Sequence, residues 1–414
     1  MLARSWWLAF SMLVTPAIGC QGKVYIGVPI HGDEELVGDG APLVDSGLGE
    51  ADGLPPLVDW YLHASGATLL DSNNNEVRLK GINWAGMEST TRVPDGLQAR
   101  TLDSLLDQIQ SLGFNLIRIP FSNESVQPDA MPATAAANGN VDPIAKNTDL
   151  IGLRSLEILD RIVAGARDRG LRILLDRYRF TASADPPSPR WDSPSVSESQ
   201  WIADWENLAR RYHSNSIVVG FDLHEEPGYP AVWEAVDGPL NWRTAAERAG
   251  NAILTINSKL LVVVQGVDFA GGVTYWPGGN LLGVKNAPVG IVPSQLAYSI
   301  HDYGRSVRDQ PWFTDPTYPN NLQMLWDTTW GYLATSAPII VGSFCDNKDE
   351  PTTPLNVATK DEAWRQKLMT YMNANRISYI FWSLSPSAEG KKGLLQLSDW
   401  ATPDPAWSQL LQLK

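Results

Sequence analysis

The chain has 414 residues, 43% of them hydrophobic, with 32 Lys and Arg against 46 Asp and Glu for a net charge of −14. That length and apolar share support one large core of about 250 to 350 residues with extensions, and exclude a disordered chain. The acid excess repels phosphate backbones and anionic lipid head groups, which excludes nucleic acid as a partner and favours a neutral, polyol-like substrate. The 17 tryptophans supply flat rings suited to a core and to stacking on apolar ligand faces, and about two thirds of them are expected in the core.

The N-terminus reads as an export signal. Arg4 carries the charge, residues 5–15 (SWWLAFSMLVT) form an apolar stretch too short to remain as a spanning helix, and small residues follow. Ala17-Ile18-Gly19-Cys20 then resembles a bacterial lipobox, which implies a signal peptide over 1–20, lipidation of Cys20 and a cell-envelope lipoprotein, or a secreted protein if Cys20 is not acylated. Residues 21–57 hold seven acids against the single Lys23 and read as a flexible tether, so membrane attachment would be through the lipid alone. The other cysteine, Cys345, is then a lone thiol.

From residue 58 to 414 short β-rich runs alternate with longer helical ones, as parallel strands joined by right-handed crossovers do. Residues 67–81, with an Asn-rich turn between two apolar runs, read as a hairpin covering one end. Strands are predicted at 78–84, 115–121, 171–176, 216–223, 260–264, 296–300, 338–342 and 378–383. Helices are predicted at 101–113, 153–170, 197–213, 241–257 and 360–376. Eight strands invite closure into a (β/α)8 TIM barrel, and nothing in the pattern calls for an oligomer, so a monomer is expected.

In such a barrel chemistry belongs just after each strand's carboxyl end. That rule selects Trp84, Arg118, residues 176–178 including Tyr178, His224, Glu225, Glu226, His301, Tyr303, Ser343 and Trp382. Glu226, crowded by rings and by Glu225, is expected to have a raised pKa and to serve as a proton donor. Arg118 follows a buried strand and must find an anion, most simply a carboxylate that it orients. His224, Glu225, Glu226, His301 and Cys345 show none of the tight spacings that metal ligands usually leave, so neither a metal nor another cofactor is expected.

The stretches KGINWAGME (80–88), SLLDQIQSLGFNLIRIPFSNE (104–124), LRILLDRYR (171–179), IVVGFDLHEEP (217–227), YSIHDYG (298–304), PWFTDPTYPNNL (311–322) and IFWSLSP (380–386) resemble the cellulase-type glycoside hydrolases of family 5. The resemblance covers 58 to 412 and implies a retaining β-glycanase barrel acting on β-1,4-glucan or a related polysaccharide. It makes Glu226 the acid/base of an Asn-Glu-Pro motif and Arg118, His224, His301, Tyr303 and Trp382 the residues that shape the site. Trp84, Trp276 and Trp382 are the cleft aromatics expected to hold sugar.

Three positions depart from the family's pattern: Tyr178 replaces a histidine, Glu225 an asparagine, and Ser343 the nucleophilic glutamate. A neutral hydroxyl cannot offset the charge of an oxocarbenium-like transition state, so the expected loss is on the order of 10⁶ in rate, or about 8 kcal/mol. The reading is therefore glucan binding with retaining hydrolysis lost or very weak. Two alternatives remain: an inverting glycosidase with Glu226 as acid and Glu225 or Asp346 as base, and an esterase built on Ser343, His301 and a glutamate. No Gly-x-Ser-x-Gly elbow supports the second.

Overall fold

A computed structural model describes residues 59–347 and 354–413. The expected signal peptide over 1–20, Cys20 and the expected tether over 21–57 lie outside the described residues. Eight parallel strands close into a barrel in chain order: β1 (Lys80–Asn83), β2 (Leu116–Ser122), β3 (Arg172–Arg179), β4 (Val218–Asp222), β5 (Leu261–Gln265), β6 (Leu296–His301), β7 (Ile339–Ser343) and β8 (Ser378–Phe381). All eight coincide with predicted strands. They are legible because strands covered on both faces read as apolar runs rather than alternations.

The helices are α1 (Leu102–Ser111), α2 (Ser155–Asp168), α3 (Glu198–Arg211), α4 (Trp242–Ile256), α5 (Asn321–Thr329), α6 (Leu355–Ala374) and α7 (Pro405–Leu411). Thr101 caps α1 by accepting from the Ser104 N–H, and Leu102, Leu105, Leu106 and Ile109 form its buried stripe. The sequence reading omits α5 and α7, which are too short for a sustained period, and starts α6 five residues late. Between β5 and β6 the crossover carries, in place of an α-helix, a small hairpin, Phe269–Ala270 with Val273–Thr274, and two 3₁₀ turns, Leu282–Lys285 and Pro293–Gln295.

The hairpin Leu62–Ser65 and Thr68–Asp71 closes the amino end of the barrel, its Leu62 and Leu69 packing with the inward Leu116, Leu174, Leu261, Ile340 and Ile380. Moving up each strand by two residues keeps a side chain on the same face. On β2 and β3 that step changes Leu116 to Arg118 and Leu174 to Asp176, so an apolar plug gives way to buried charge just beneath the mouth. A bulge between Ile300 and His301 passes over Gly342 and sets His301 beside Ser343. Only glycine fits there, because a Cβ on Gly342 would lie 2.3 Å from the Ser299 hydroxyl.

Candidate active site

Arg118 is wholly buried, and its Nη2 lies 2.7 Å from Glu225 Oε2, 2.8 Å from Asp222 Oδ2 and 3.0 Å from Asp176 Oδ1. Nη1 donates to Asn83 Oδ1 at 3.0 Å. Burial opposes the Arg118 charge, but the three carboxylates outweigh it and hold the guanidinium ionised. Nη2 has only two hydrogens for three carboxylates, and they go to Asp222 and Glu225. Asp176 is left at ion-pair distance without a hydrogen bond, and burial pushes its pKa well up despite Arg118. Arg118 therefore orients Glu225, as expected of a residue that pairs with a carboxylate, and, being wholly buried, is not placed to contact substrate.

Gln265, at the end of β5, completes this layer. Its Nε2 donates to Glu225 Oε2 at 3.1 Å and its Oε1 accepts the Glu226 N–H at 2.9 Å. That clamp holds the backbone of Glu226, which has a left-handed φ of 51°, uncommon for a residue with a side chain. Sequence reading stopped the fifth strand one residue short and missed Gln265, although the rule of strand ends would have selected it.

Glu226 retains some exposure, 19% of its side chain. Its Oε1 lies 3.0 Å from His301 Nδ1 and accepts from the Tyr303 hydroxyl at 3.2 Å. The same hydroxyl reaches Ser343 Oγ at 2.8 Å, so Tyr303 bridges the acid to the buried serine. Burial works to raise the Glu226 pKa, but the hydrogen bond and charge of His301, with Lys391 and Tyr303, prevail and lower it. The expected upward shift is thus reversed, because the carboxylate faces donors rather than an apolar wall.

The remaining expected groups are placed differently from one another. His224 is buried on the far side, its Nδ1 2.7 Å from Arg177 Nη1 and its ring against Trp242; burial and then Arg177 push its pKa well down. It shapes the site from behind and does not join Glu226. Asp346 is held by Arg365 through two contacts of 2.5 and 2.8 Å, which removes it as a free base. His301 Nε2 has no hydrogen-bond partner among the described residues, and Nδ1 is used by Glu226, so no nucleophile–base pair with Ser343 is formed and the esterase arrangement is absent among the described residues. Burial pushes the Cys345 thiol up, and it is inert.

A hairpin beyond β8, Ser387–Ala388 with Lys391–Lys392, sits over the mouth. Its tip residue Glu389 accepts from the Tyr178 hydroxyl and pairs with Arg179. The Lys391 ammonium lies 5.2 Å from the ring centres of both Tyr303 and Trp382. Tyr178 stacks on Trp382 at 5.7 Å and 24°. Trp382 is therefore wholly buried and is no open sugar platform in this conformation. Trp84 spends its N–H on the Asp95 carbonyl, and Trp276 donates to Asp302 with Arg308 over its ring, so both are also buried. Asp302 gathers Tyr275, Trp276, Trp326 and Trp364 around one carboxylate, whose pKa burial raises to about 6. Sequence periodicity carries no signal for this cage.

A closed eight-stranded β/α barrel, with a glutamate after the fourth strand held by a histidine and a tyrosine from the sixth, defines a polysaccharide-hydrolase type of barrel. The chain belongs to the cellulases of glycosyl hydrolase family 5, whose family model matches residues 70–388. An endoglucanase of Paenibacillus polymyxa is 40% identical over 351 residues, covering 83% of this chain and 84% of that protein. The major extracellular endoglucanase of Xanthomonas campestris pv. campestris is 33% identical over 340 residues, covering 81% of this chain and 67% of its own. Among solved structures, the catalytic domain of the Xanthomonas enzyme aligns with a TM-score of 0.77 at 31% identity, over 85% of this chain and 99% of that one. A glutamate-to-alanine variant of the endocellulase from Pyrococcus horikoshii, in complex with cellotetraose, aligns with a TM-score of 0.77 at 31% identity, over 86% and 98%.

Proposed function

We propose that this family 5 protein binds β-1,4-glucan and hydrolyses it weakly or not at all by the retaining route. The observation that carries the reading is Ser343. It stands at the end of β7, where a retaining enzyme of this family places its nucleophile, and offers a buried hydroxyl bonded to Tyr303. The lowered pKa of Glu226 works in the same direction, since an acid already ionised at neutral pH has no proton to give a leaving group. Glucan binding by a protein of this kind that lacks one glutamate has a parallel in the Pyrococcus horikoshii endocellulase, whose glutamate-to-alanine variant is solved with cellotetraose.

The inverting route is not favoured. A carboxylate oxygen of Glu225 and one of Glu226 lie within 4.8 Å of each other, whereas inversion needs carboxyl groups about 6.5–9.5 Å apart to admit a water. The sugar platform is better sought at Tyr229, 82% exposed on the loop that follows Glu226, and at Phe269, 55% exposed, which the Tyr229 N–H contact to Asp268 places alongside. By the same reasoning the protein acts after export, as its Xanthomonas relative is named extracellular, with Cys20 as the lipid anchor.

Calorimetric titration with cello-oligosaccharides, paired with turnover of a fluorogenic cellobioside, tests the reading. Binding with turnover near background is expected. Turnover comparable to an active endoglucanase, or no heat at millimolar ligand, would sink it. Mass analysis of the mature N-terminus tests lipidation of Cys20, and a cysteine without acyl mass removes the anchor.

A further inference from the structure

We propose that Glu225 Oε1, Glu226 Oε1 and His301 Nδ1 form a binding site for a divalent transition-metal cation of the zinc type. One ligand atom from each of the three residues lies within 4.8 Å of the others. His301 Nδ1 is 3.0 Å from the Glu226 oxygen and 3.7 Å from the Glu225 oxygen. Metal–ligand distances of about 2.0–2.2 Å at a tetrahedral angle separate neighbouring ligand atoms by about 3.4 Å, between those two values. The two distances to His301 therefore already suit a shared cation, and closing the site asks only that the two carboxylate oxygens, which lie within 4.8 Å, approach that separation.

The independent sign of an unfilled position is Glu225 Oε1. It belongs to a side chain only 1% exposed and has no hydrogen-bond partner among the described residues. A buried carboxylate oxygen left bare is costly, and a cation would satisfy it. The other oxygen of Glu225 is held by Arg118 and Gln265, so the ligand is already oriented from behind, as outer partners orient ligands in metal sites. Charge supports the same conclusion, because Glu225 shares the Arg118 cation with Asp222, and Glu226 adds a further acid, faced by Lys391 and His301.

The ligands come from two strand ends, which is why no short motif marks them in the sequence. Binding needs Nδ1 free of a proton: a neutral His301 then carries its single ring proton on Nε2, and a charged one releases the Nδ1 proton to solvent and keeps that on Nε2. Three protein ligands leave one tetrahedral position for water or a sugar hydroxyl. A liganded Glu226 cannot act as a proton donor, so the metal would suppress any residual turnover that depends on it.

The test is calorimetric titration of the chelator-stripped full chain with Zn²⁺ alone. About one equivalent is expected, with binding weakened at least ~100-fold in Glu225→Asn, Glu226→Gln and His301→Gln. Thermal unfolding of each variant reports whether it is folded. Should a variant not fold, wild-type crystals soaked in Zn²⁺ are expected to show an anomalous peak among the three ligand atoms. Unchanged binding in folded Glu225→Asn, or a peak only elsewhere, would overturn the proposal. Glucan binding measured with chelator present is a separate readout, so failure of one reading leaves the other standing.

Discussion

The two sides of the barrel mouth differ. On the side of β4 and β6, Glu226, His301 and Tyr303 form a connected set with distances of 3.0 and 3.2 Å, backed by Arg118 and Gln265. On the side of β7 and β8, Ser343 stands at the strand end, and Glu389 and Lys391 from the hairpin lie over Tyr178 and Trp382. Proton-handling groups thus remain assembled on one side, while on the other a neutral hydroxyl and a covering loop occupy the space. The proposed loss of retaining hydrolysis rests on this difference: the partners of Glu226 are assembled, whereas Ser343 stands at the end of β7 as a hydroxyl and not a carboxylate.

The largest effect should come from rebuilding the second side. Ser343→Glu combined with Tyr178→His and Glu225→Asn is expected to raise cellobioside turnover by up to about 10⁶ over wild type, with a small gain from Ser343→Glu alone. No gain in the folded triple variant would mean the loss lies elsewhere in the mouth. Breaking the first side should instead cost stability. Arg118→Met leaves Asp222 and Glu225 buried without their cation, and a loss of about 3–5 kcal/mol is expected in denaturant unfolding at neutral pH.

A third effect depends on pH and lies next to the mouth, at Glu88. Burial, with Asp95 nearby, raises its pKa from 4.5 to about 7. The folded state then holds the proton more tightly than the unfolded one, so this contribution is full below about 4.5 and fades as pH rises through about 7. Thermal unfolding should show stability falling over that window by roughly 3 kcal/mol from this group, and Glu88→Gln should flatten the slope. An unchanged slope in Glu88→Gln would assign the dependence to another group. The smallest effect concerns the hairpin. Glu389→Ala removes the partner of Tyr178 and Arg179, and uncovering Trp382 should tighten cello-oligosaccharide binding by about fivefold, or ~1 kcal/mol. Weaker binding in that variant would show that the hairpin contributes to the site instead of closing it.

The strand ends were legible because the strands, buried within the barrel, read as mainly apolar runs, after which polar residues gather at the mouth. Arg118, Glu226, His301 and Ser343 were found in this way, and the same rule reaches Gln265, which follows the predicted 260–264 strand directly, although the reading did not name it. Glu389 and Lys391 carry no such mark, since they lie in a loop several residues beyond β8. The four-donor cage around Asp302 is equally silent, as its members come from separate segments between 275 and 364.

What the chain's own order of residues determined is therefore the barrel, its inward layers and the identity of the group at each strand end, since those follow from local periodicity and hydrophobic burial. Tertiary structure alone decided the direction in which the pKa of Glu226 moves, because that depends on which donors face it across the mouth. It also decided which tryptophans are covered and left one oxygen of Glu225 without a partner. These are sums over neighbours brought together from distant parts of the chain, and electrostatic and contact energies depend on distance in space, which sequence separation does not report.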